Sequence, residues 1–362
     1  MPAAARSKVT IREVALASGV ARSTVSKALG GKAYVRPETR TRVIEAARRL
    51  GYRASSLARG LRLQQTWSVG LLLADVSNPF FPDIVRGIED LLWSREYNLI
   101  VCNTDYRKDK EAAYLRHLLD KQLDGLILAS TASDSDEVLL LQEQGTPFVM
   151  LNRRHKSVST DYVGMDNMGG VRATIAHLHG LGHRRIAFIK GRADSSAAEE
   201  RFQGYRAAMR TFGLAVEDRL VTQGDYSIES GREAAAQFLR SGALPTAIVS
   251  ANDFMAFGAM GVFAGAGIAV PDRISITGFD DIFVSALPEI DLTTVRPNSR
   301  QLGARAAELL LERIAGLAAP GIETPGIETA GIETAGIETA GPRDIIVPTE
   351  LIVRGTTTAA RK

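Results

Sequence analysis

The chain has 362 residues, 45% of them hydrophobic and 23% charged, which is ordinary globular composition and length for two or three folding units. No stretch approaches eighteen consecutive apolar residues, so hydropathy excludes a membrane-spanning segment, and the single cysteine, Cys102, excludes an internal disulfide. The net charge of +3 conceals a split: residues 1–65 carry 14 Lys/Arg against 3 Asp/Glu and the remainder 30 against 38, a basic head on an acidic body that points to a polyanion partner.

The N-terminus "MPAAARSKVTIREVALASGV" places charges where a secretory signal would be apolar. With Cys102 reading as a strand residue in "NLIVCNTD", the expected location is cytoplasmic and nucleoid-associated.

The first predicted helix opens at Thr10-Ile-Arg-Glu13, a capping-box spacing in which hydroxyl and carboxylate satisfy free amides. Ala17-Ser18-Gly19-Val20 is expected to break it, Gly19 taking the left-handed conformation that turns the chain. "ARSTVSKAL" then forms a second helix with Val25, Ala28 and Leu29 inward and Arg22, Ser23, Ser26 and Lys27 outward. A third starts at Pro37, faces Val43, Ile44, Ala47 and Leu50 inward, and stops at Gly51.

A glycine turn between two short helices is helix-turn-helix geometry, in which the second helix enters the major groove. Arg22 suits a bidentate contact with guanine, and Ser23 can donate or accept. Ser26, Lys27 and Lys32 suit phosphates, which position without reading sequence.

From Ser68 the pattern becomes apolar runs alternating with amphipathic stretches. "SVGLLLAD", "NLIVCNTD", "DGLILAS", "TPFVMLN", "RRIAFIKG", "RLVTQGDY", "TAIVSAND" and "RISITGFDD" read as eight buried strands separated by helices. The predicted fold is therefore α/β, with parallel sheets doubly wound in two lobes, and ligands in such folds bind outside the carboxyl ends of the strands. Polar and aromatic residues gather there: Asp75, Asn78, Phe80 and Phe81; Asn103 and Asp105; Asn152 and Arg153; Tyr226; Asn252 and Asp253; Asp280 and Asp281. Amides, carboxylates and arginines can bond paired hydroxyls, while the aromatic rings offer flat faces to a sugar or base.

"HLHGLGH" does not read as a metal site, because residues two apart on a helix face differently. "GAMGVFAGAG" lies inside a predicted helix rather than at a strand-to-helix turn, where a dinucleotide site would need it. No cofactor, metal or catalytic residue is expected.

The head segments "TIREVALASGVARSTVSKALGG" and "VRPETRTRVIEAARRLGYRASSLARGLR" resemble the DNA-binding head of the lactose-repressor (LacI/GalR) family. The chain departs from that pattern at Ala21, where a serine is usual, and at Ala54-Ser55, where Pro-Asn is usual; an absent N-cap hydroxyl costs about 1 kcal/mol. "SSLARGLR" is similar to the family's hinge, which folds on operator DNA, and the resemblance makes Leu61 the minor-groove wedge. Gly60 weakens that helix by roughly 1 kcal/mol, so it is expected to need DNA to form.

"NPFF", "LNRR", "ERFQGY", "SANDFMAFG" and "TGFDD" stand in the order of the same family's effector core, itself similar to periplasmic sugar-binding proteins. The resemblance puts Arg201 and Asp280 foremost as effector ligands, then Asn252, Tyr226 and Phe80. It differs at Pro297 and Ser299, where some members use a polar and an aromatic ligand.

The expected organisation is a helix-turn-helix domain over 1–52 and a hinge over 53–65. The core over 66–362 is expected to divide into one lobe at about 66–165 and 298–318 and a second at about 166–297 and 343–362. Thr10, Arg22, Ser23, Ser26, Lys27, Lys32 and Leu61 are assigned to DNA. Asn78, Phe80, Phe81, Asp105, Asn152, Arg153, Arg201, Tyr226, Asn252 and Asp280 are assigned to a small effector, a sugar or sugar derivative.

The expected protein is a homodimeric repressor on near-palindromic operator DNA. A transport-type binding protein would lack the basic head, and an enzyme would need a nucleophile–base pair or cofactor motif that is not evident.

Four near-identical pentapeptides, "GIETPGIETAGIETAGIETAG", fill 321–341 within a loop placed at 319–342. Their period fits neither helix nor strand, and lengthening a surface loop costs only about 0.6 kcal/mol per doubling. Deleting the repeat is expected to leave DNA and ligand affinities unchanged in fluorescence titrations; loss of either would make it functional.

Overall fold

The computed structural model describes residues 9–30, 35–52, 65–129, 131–242, 244–317 and 341–360. Lys32, Leu61, residues 53–64 of the expected hinge and nearly all of the repeat lie outside them. The chain divides into two units, Met1–Thr66 and Trp67–Lys362.

In the first unit, α1 (Ile11–Ser18), α2 (Arg22–Leu29) and α3 (Pro37–Leu50) enclose a small core of Val14, Val25, Val43, Ala46 and Ala47. Glu13 accepts from the Thr10 amide at 2.6 Å and its hydroxyl at 2.9 Å, which holds the carboxyl below its usual range. The expected break at Ala17–Val20 is shorter than predicted. α1 continues to Ser18, whose hydroxyl donates to Val14 O at 2.6 Å, and the reversal falls on Gly19 at φ +66°. Gly51, at φ +67°, ends α3 in the same way.

The second unit contains all eight predicted strands. β1 (Ser68–Leu73), β2 (Asn98–Asn103), β3 (Gly125–Ala129), β4 (Phe148–Leu151), β5 (Tyr162–Met165) and β11 (Asp344–Val347) form one parallel sheet in the order β11-β5-β4-β3-β1-β2. β6 (Ile186–Lys190), β7 (Val221–Gln223), β8 (Ala247–Ser250) and β9 (Ser275–Thr277) form another, ordered β7-β6-β8-β9. β10 (Thr294–Pro297) and β12 (Thr349–Ile352) pair antiparallel.

Helices α4 (Phe80–Ser94), α5 (Lys108–Asp120), α6 (Asp136–Glu143) and α11 (Ser299–Leu317) accompany the first sheet. α7 (Asn167–Gly180), α8 (Ser196–Thr211), α9 (Ile228–Arg240) and α10 (Asp253–Gly265) accompany the second. Strand runs such as β1, β3, β4 and β8 are buried almost throughout because helices cover both faces.

The expected lobe boundary needs correction at 343–347. Asp344–Val347 pairs in parallel with Tyr162–Met165, so β11 completes the first lobe's sheet rather than the second's. Asp161 anchors this edge: Arg313 donates to it at 2.7 and 2.9 Å and the Arg343 amide at 2.8 Å. Burial would raise its pKa, but the Arg313 and Arg343 contacts outweigh it and hold the carboxyl low. The two arginines flank the repeat in sequence, so one buried carboxylate fastens both sides of the insertion.

Two helix crossings depend on glycine. A Cβ on Gly87 of α4 would lie 2.1 Å from Arg300 O, and one on Gly303 of α11 would lie 2.1 Å from Ile84 O. In the other lobe a Cβ on Gly231 would meet Met255 O at 2.1 Å, and one on Gly258 would meet Ile228 O at 2.0 Å. Each pair lets two backbones approach where a methyl group cannot fit.

Gly87→Ala is expected to destabilise the core by about 1–3 kcal/mol through overpacking, measured as a lower urea midpoint. An unchanged midpoint would mean that the crossing yields without cost.

Candidate functional site

On the head, α2 presents Arg22, Ser23 and Lys27 on the side away from buried Val25 and Ala28, with Ser26 half-buried between them. Ala21 caps this helix through its backbone alone, its carbonyl accepting from Val25 N at 3.1 Å. Thr10 is exposed at the start of α1, its hydroxyl occupied by Glu13.

In the core, a cleft of about 330 Å³ opens at the strand C-terminal ends. The first lobe contributes Asn78, Phe80, Phe81, Tyr106, Asn152 and Arg153; the second contributes Ala197, Arg201, Tyr226, Asn252 and Asp280. Nine of the ten residues assigned to an effector therefore share one cavity.

Four of the lining residues have positive φ without being glycine: Tyr106 at +56°, Asn152 at +66°, Tyr226 at +75° and Asp280 at +119°. Such backbones cost of order 1–3 kcal/mol each and concentrate at ligand sites.

Arg201 is buried and held by several partners. Its Nε donates to Asn167 Oδ1 at 2.8 Å, one terminal nitrogen donates to Ala251 O, and the plane lies 3.6 Å over the Phe279 ring. Its other terminal nitrogen stands 3.6 Å from Asp280 Oδ1. Burial pushes the Asp280 carboxyl well above the carboxylate range, opposed by Arg201 and reinforced by Asp253.

Asp253 is itself raised by burial, although Thr294 and Ser285 hydroxyls donate to it at 2.5 and 2.7 Å and the Ile282 amide at 3.0 Å. It ties the second sheet's strand ends together behind the cleft.

Asn252 lines the cavity, but both ends of its amide are used. Its oxygen accepts from Met255 N at 3.0 Å, capping α10, and its nitrogen donates to Tyr226 O at 3.0 Å. It fixes Tyr226, whose hydroxyl lies 3.2 Å from Ser195 Oγ. Asn78 similarly accepts from Phe80 N at 3.0 Å and shapes the entry to α4.

Asp105 is the exception: it does not line the cavity. It is exposed, binds Lys110 and takes a hydrogen bond from Asn103 at 2.5 Å, which holds its carboxyl low. Left-handed φ at both Asp105 and Tyr106 turns the chain so that Tyr106 faces the cleft instead. A strand-end rule identified this turn but chose the wrong residue of the two. Ala197 was missed because nothing in its side chain marks a site. Pro297 and Ser299 do not line the cavity either.

The lobes meet directly at the mouth of the cleft. Arg153 lies 5.5 Å from the Tyr106 ring and 5.8 Å from that of Tyr226, and Arg192 lies 4.7 Å over Tyr106. Ser196 Oγ accepts from the Arg154 amide at 2.7 Å, and the Ser133 amide donates to Asp194 O at 3.3 Å.

The histidines of α7 and its following turn do separate tasks: His177 contacts Thr357 Oγ1 at 3.0 Å, His183 contacts Thr358 O at 2.9 Å, and His179 stacks on Phe212. Among the described residues no cluster suited to a metal ion occurs, and no helix is long and apolar enough to cross a membrane.

Residues 66–354 match the family model described as periplasmic binding proteins and sugar binding domain of LacI family, and residues 10–55 match bacterial regulatory proteins, lacI family. The chain is 35% identical over 308 residues to the HTH-type transcriptional repressor PurR of Photobacterium profundum, covering 84% of this chain and 92% of that protein. It is 33% identical over 306 residues to the ribose operon repressor of Escherichia coli, covering 84% and 93%. Among solved structures it is similar to the lac repressor dimer bound to operator and the anti-inducer ONPF, with a TM-score of 0.83, 25% identity, and coverage of 97% of this chain and 100% of that one. With both modules matched in order, a helix-turn-helix head and a two-lobed core with a cleft at its strand ends, the chain belongs to the lacI family of bacterial regulatory proteins.

Proposed function

We propose that the protein is a sequence-specific transcriptional repressor, acting as a homodimer in the cytoplasm, whose operator affinity is set by a small metabolite bound in the interlobe cleft. The observation that carries this reading is the exposed Arg22–Ser23–Lys27 face of a helix-turn-helix in one chain with that cleft. The names of the curated relatives and the operator-bound lac repressor dimer support it.

A dimer presents two recognition helices to half-sites about one helical turn apart. Arg22 then reads a guanine, Ser23 a neighbouring base edge, and Ser26, Lys27 and Lys32 hold phosphates. Leu61 wedges the minor groove. In the core, Arg201 and Asp280 face ligand hydroxyls while Phe80, Phe81 and Tyr226 bracket its ring. The effector must bind two lobe arrangements unequally, since a ligand without differential affinity shifts nothing.

Selection from a random duplex pool should return a near-palindromic operator. Arg22→Ala is expected to relax one position per half-site, at a cost of about 1–3 kcal/mol of discrimination. Lys27→Ala should weaken binding to all sequences alike and reduce the salt slope by about one. No preference for any duplex over random competitor would overturn the reading.

In the same assay, Phe80→Ala should leave operator affinity within twofold while removing the response to effector. A normal response would place the ligand outside the cleft.

A further inference from the structure

Arg201 keeps its place in the cleft wall through residues that do not themselves line the cavity. Its Nε donates to Asn167 Oδ1 at 2.8 Å, and Asn167 Nδ2 donates in turn to Glu200 Oε2 at 2.8 Å. Asn167 is only 1% exposed, so both ends of its amide need partners within the protein.

An amide can present either its oxygen or its nitrogen to a neighbour. The Arg201 Nε–H needs the oxygen, whereas the Glu200 carboxylate, which offers acceptors, needs the nitrogen. Glu200 thus selects the one setting in which Asn167 holds Arg201. Glu200 and Arg201 are consecutive on α8 and point in different directions. Asn167 spans them from the first turn of α7.

The same carboxylate faces the other lobe. Its Oε1 stands 3.9 Å from the Nε of Arg154, which follows β4. Ser196 lies one turn earlier on α8, on the same face as Glu200, and accepts from the Arg154 amide at 2.7 Å. Within its own lobe Arg154 donates to both Asp344 carboxyl oxygens, at 2.8 and 2.9 Å, and lies 3.6 Å over the Tyr162 ring. Arg154 is therefore anchored on β5 and β11 and reaches across to two positions of α8.

We propose that Glu200 is a positioning residue that couples the cleft to the lobe contact. One oxygen orients Asn167 to hold Arg201, and the other draws Arg154 of the opposite lobe against α8. The importance of Arg201 rests on the effector reading of the cleft, but the coupling is testable without any ligand.

Two variants separate the contacts. Glu200→Gln keeps an oxygen for Asn167 but loses the charge that attracts Arg154, and Glu200→Leu loses both. In the full-length protein without effector, hydrogen exchange over residues 152–157 should quicken about threefold in Glu200→Gln, as expected for loss of a partly exposed ion pair. That acceleration should vanish in an Arg154→Gln background, while exchange over residues 167–180 stays at the wild-type rate. Unchanged exchange at 152–157, or equal acceleration with Arg154 replaced, would overturn the coupling.

In the crystal structure of Glu200→Leu, Arg201 Nε should stand more than about 3.5 Å from Asn167 Oδ1, whereas Glu200→Gln should keep the bond of 2.8 Å. Arg201 and Asn167 unmoved in Glu200→Leu would overturn the positioning role. Should that variant fail to fold, Glu200→Lys serves instead, because a donor-only ammonium should claim the Asn167 oxygen and displace Arg201 likewise. Neither measurement involves an effector. A negative result leaves the effector reading to the Phe80→Ala assay, and failure of that reading leaves the Glu200 contacts standing.

Discussion

The core depends on the Arg201 guanidinium, a cation taken almost wholly out of water. Its side chain is 4% exposed and that of Asp280 is 7%; burial on this scale costs several kcal/mol per ion unless partners are in place. Asn167 from the start of α7, Ala251 O after β8, the Phe279 face after β9 and Asp280 itself supply them. The second lobe's strand ends are thereby tied at one point, and the Asp280 carboxyl is presented to the cleft in a backbone conformation that few non-glycine residues adopt.

Around that point, most polar side chains at the cleft serve structure first. Asn252 caps a helix and holds Tyr226, Asn78 shapes the entry to α4, and Asp253 fastens β10 and the segment at 282–285. These bonds prearrange the cavity before any ligand arrives, so less ordering remains for binding to supply. The left-handed Tyr226 is held by this network through the Asn252 amide.

The lobes are joined by three passages of the chain, after β5, after β10 and between β11 and β12, with β10 and β12 paired as an antiparallel ribbon. Within each lobe a glycine-paired helix crossing removes the slack that a side chain would introduce. The contacts across the mouth, cation–π stacks, two hydrogen bonds from backbone amides and the Arg154–Glu200 ion pair at 3.9 Å, are individually modest.

Much of this was determined by local pattern. The charge split, the glycine turn of the head and the eight apolar runs are readable because helix and strand periodicity act over a few residues, and the strand-end rule found most of the cleft because parallel topology gathers those ends. Only the tertiary structure decided the rest. β5 and β11 are short and half-marked in sequence, and their pairing between distant parts of the chain moved a segment from one lobe to the other. The choice of Tyr106 over Asp105 turned on two left-handed backbones, and the occupied amide of Asn252 and the open oxygen of Asn152 look alike in sequence. The physical reason is that burial and hydrogen-bond satisfaction belong to a residue's neighbours in space, which sequence proximity does not specify.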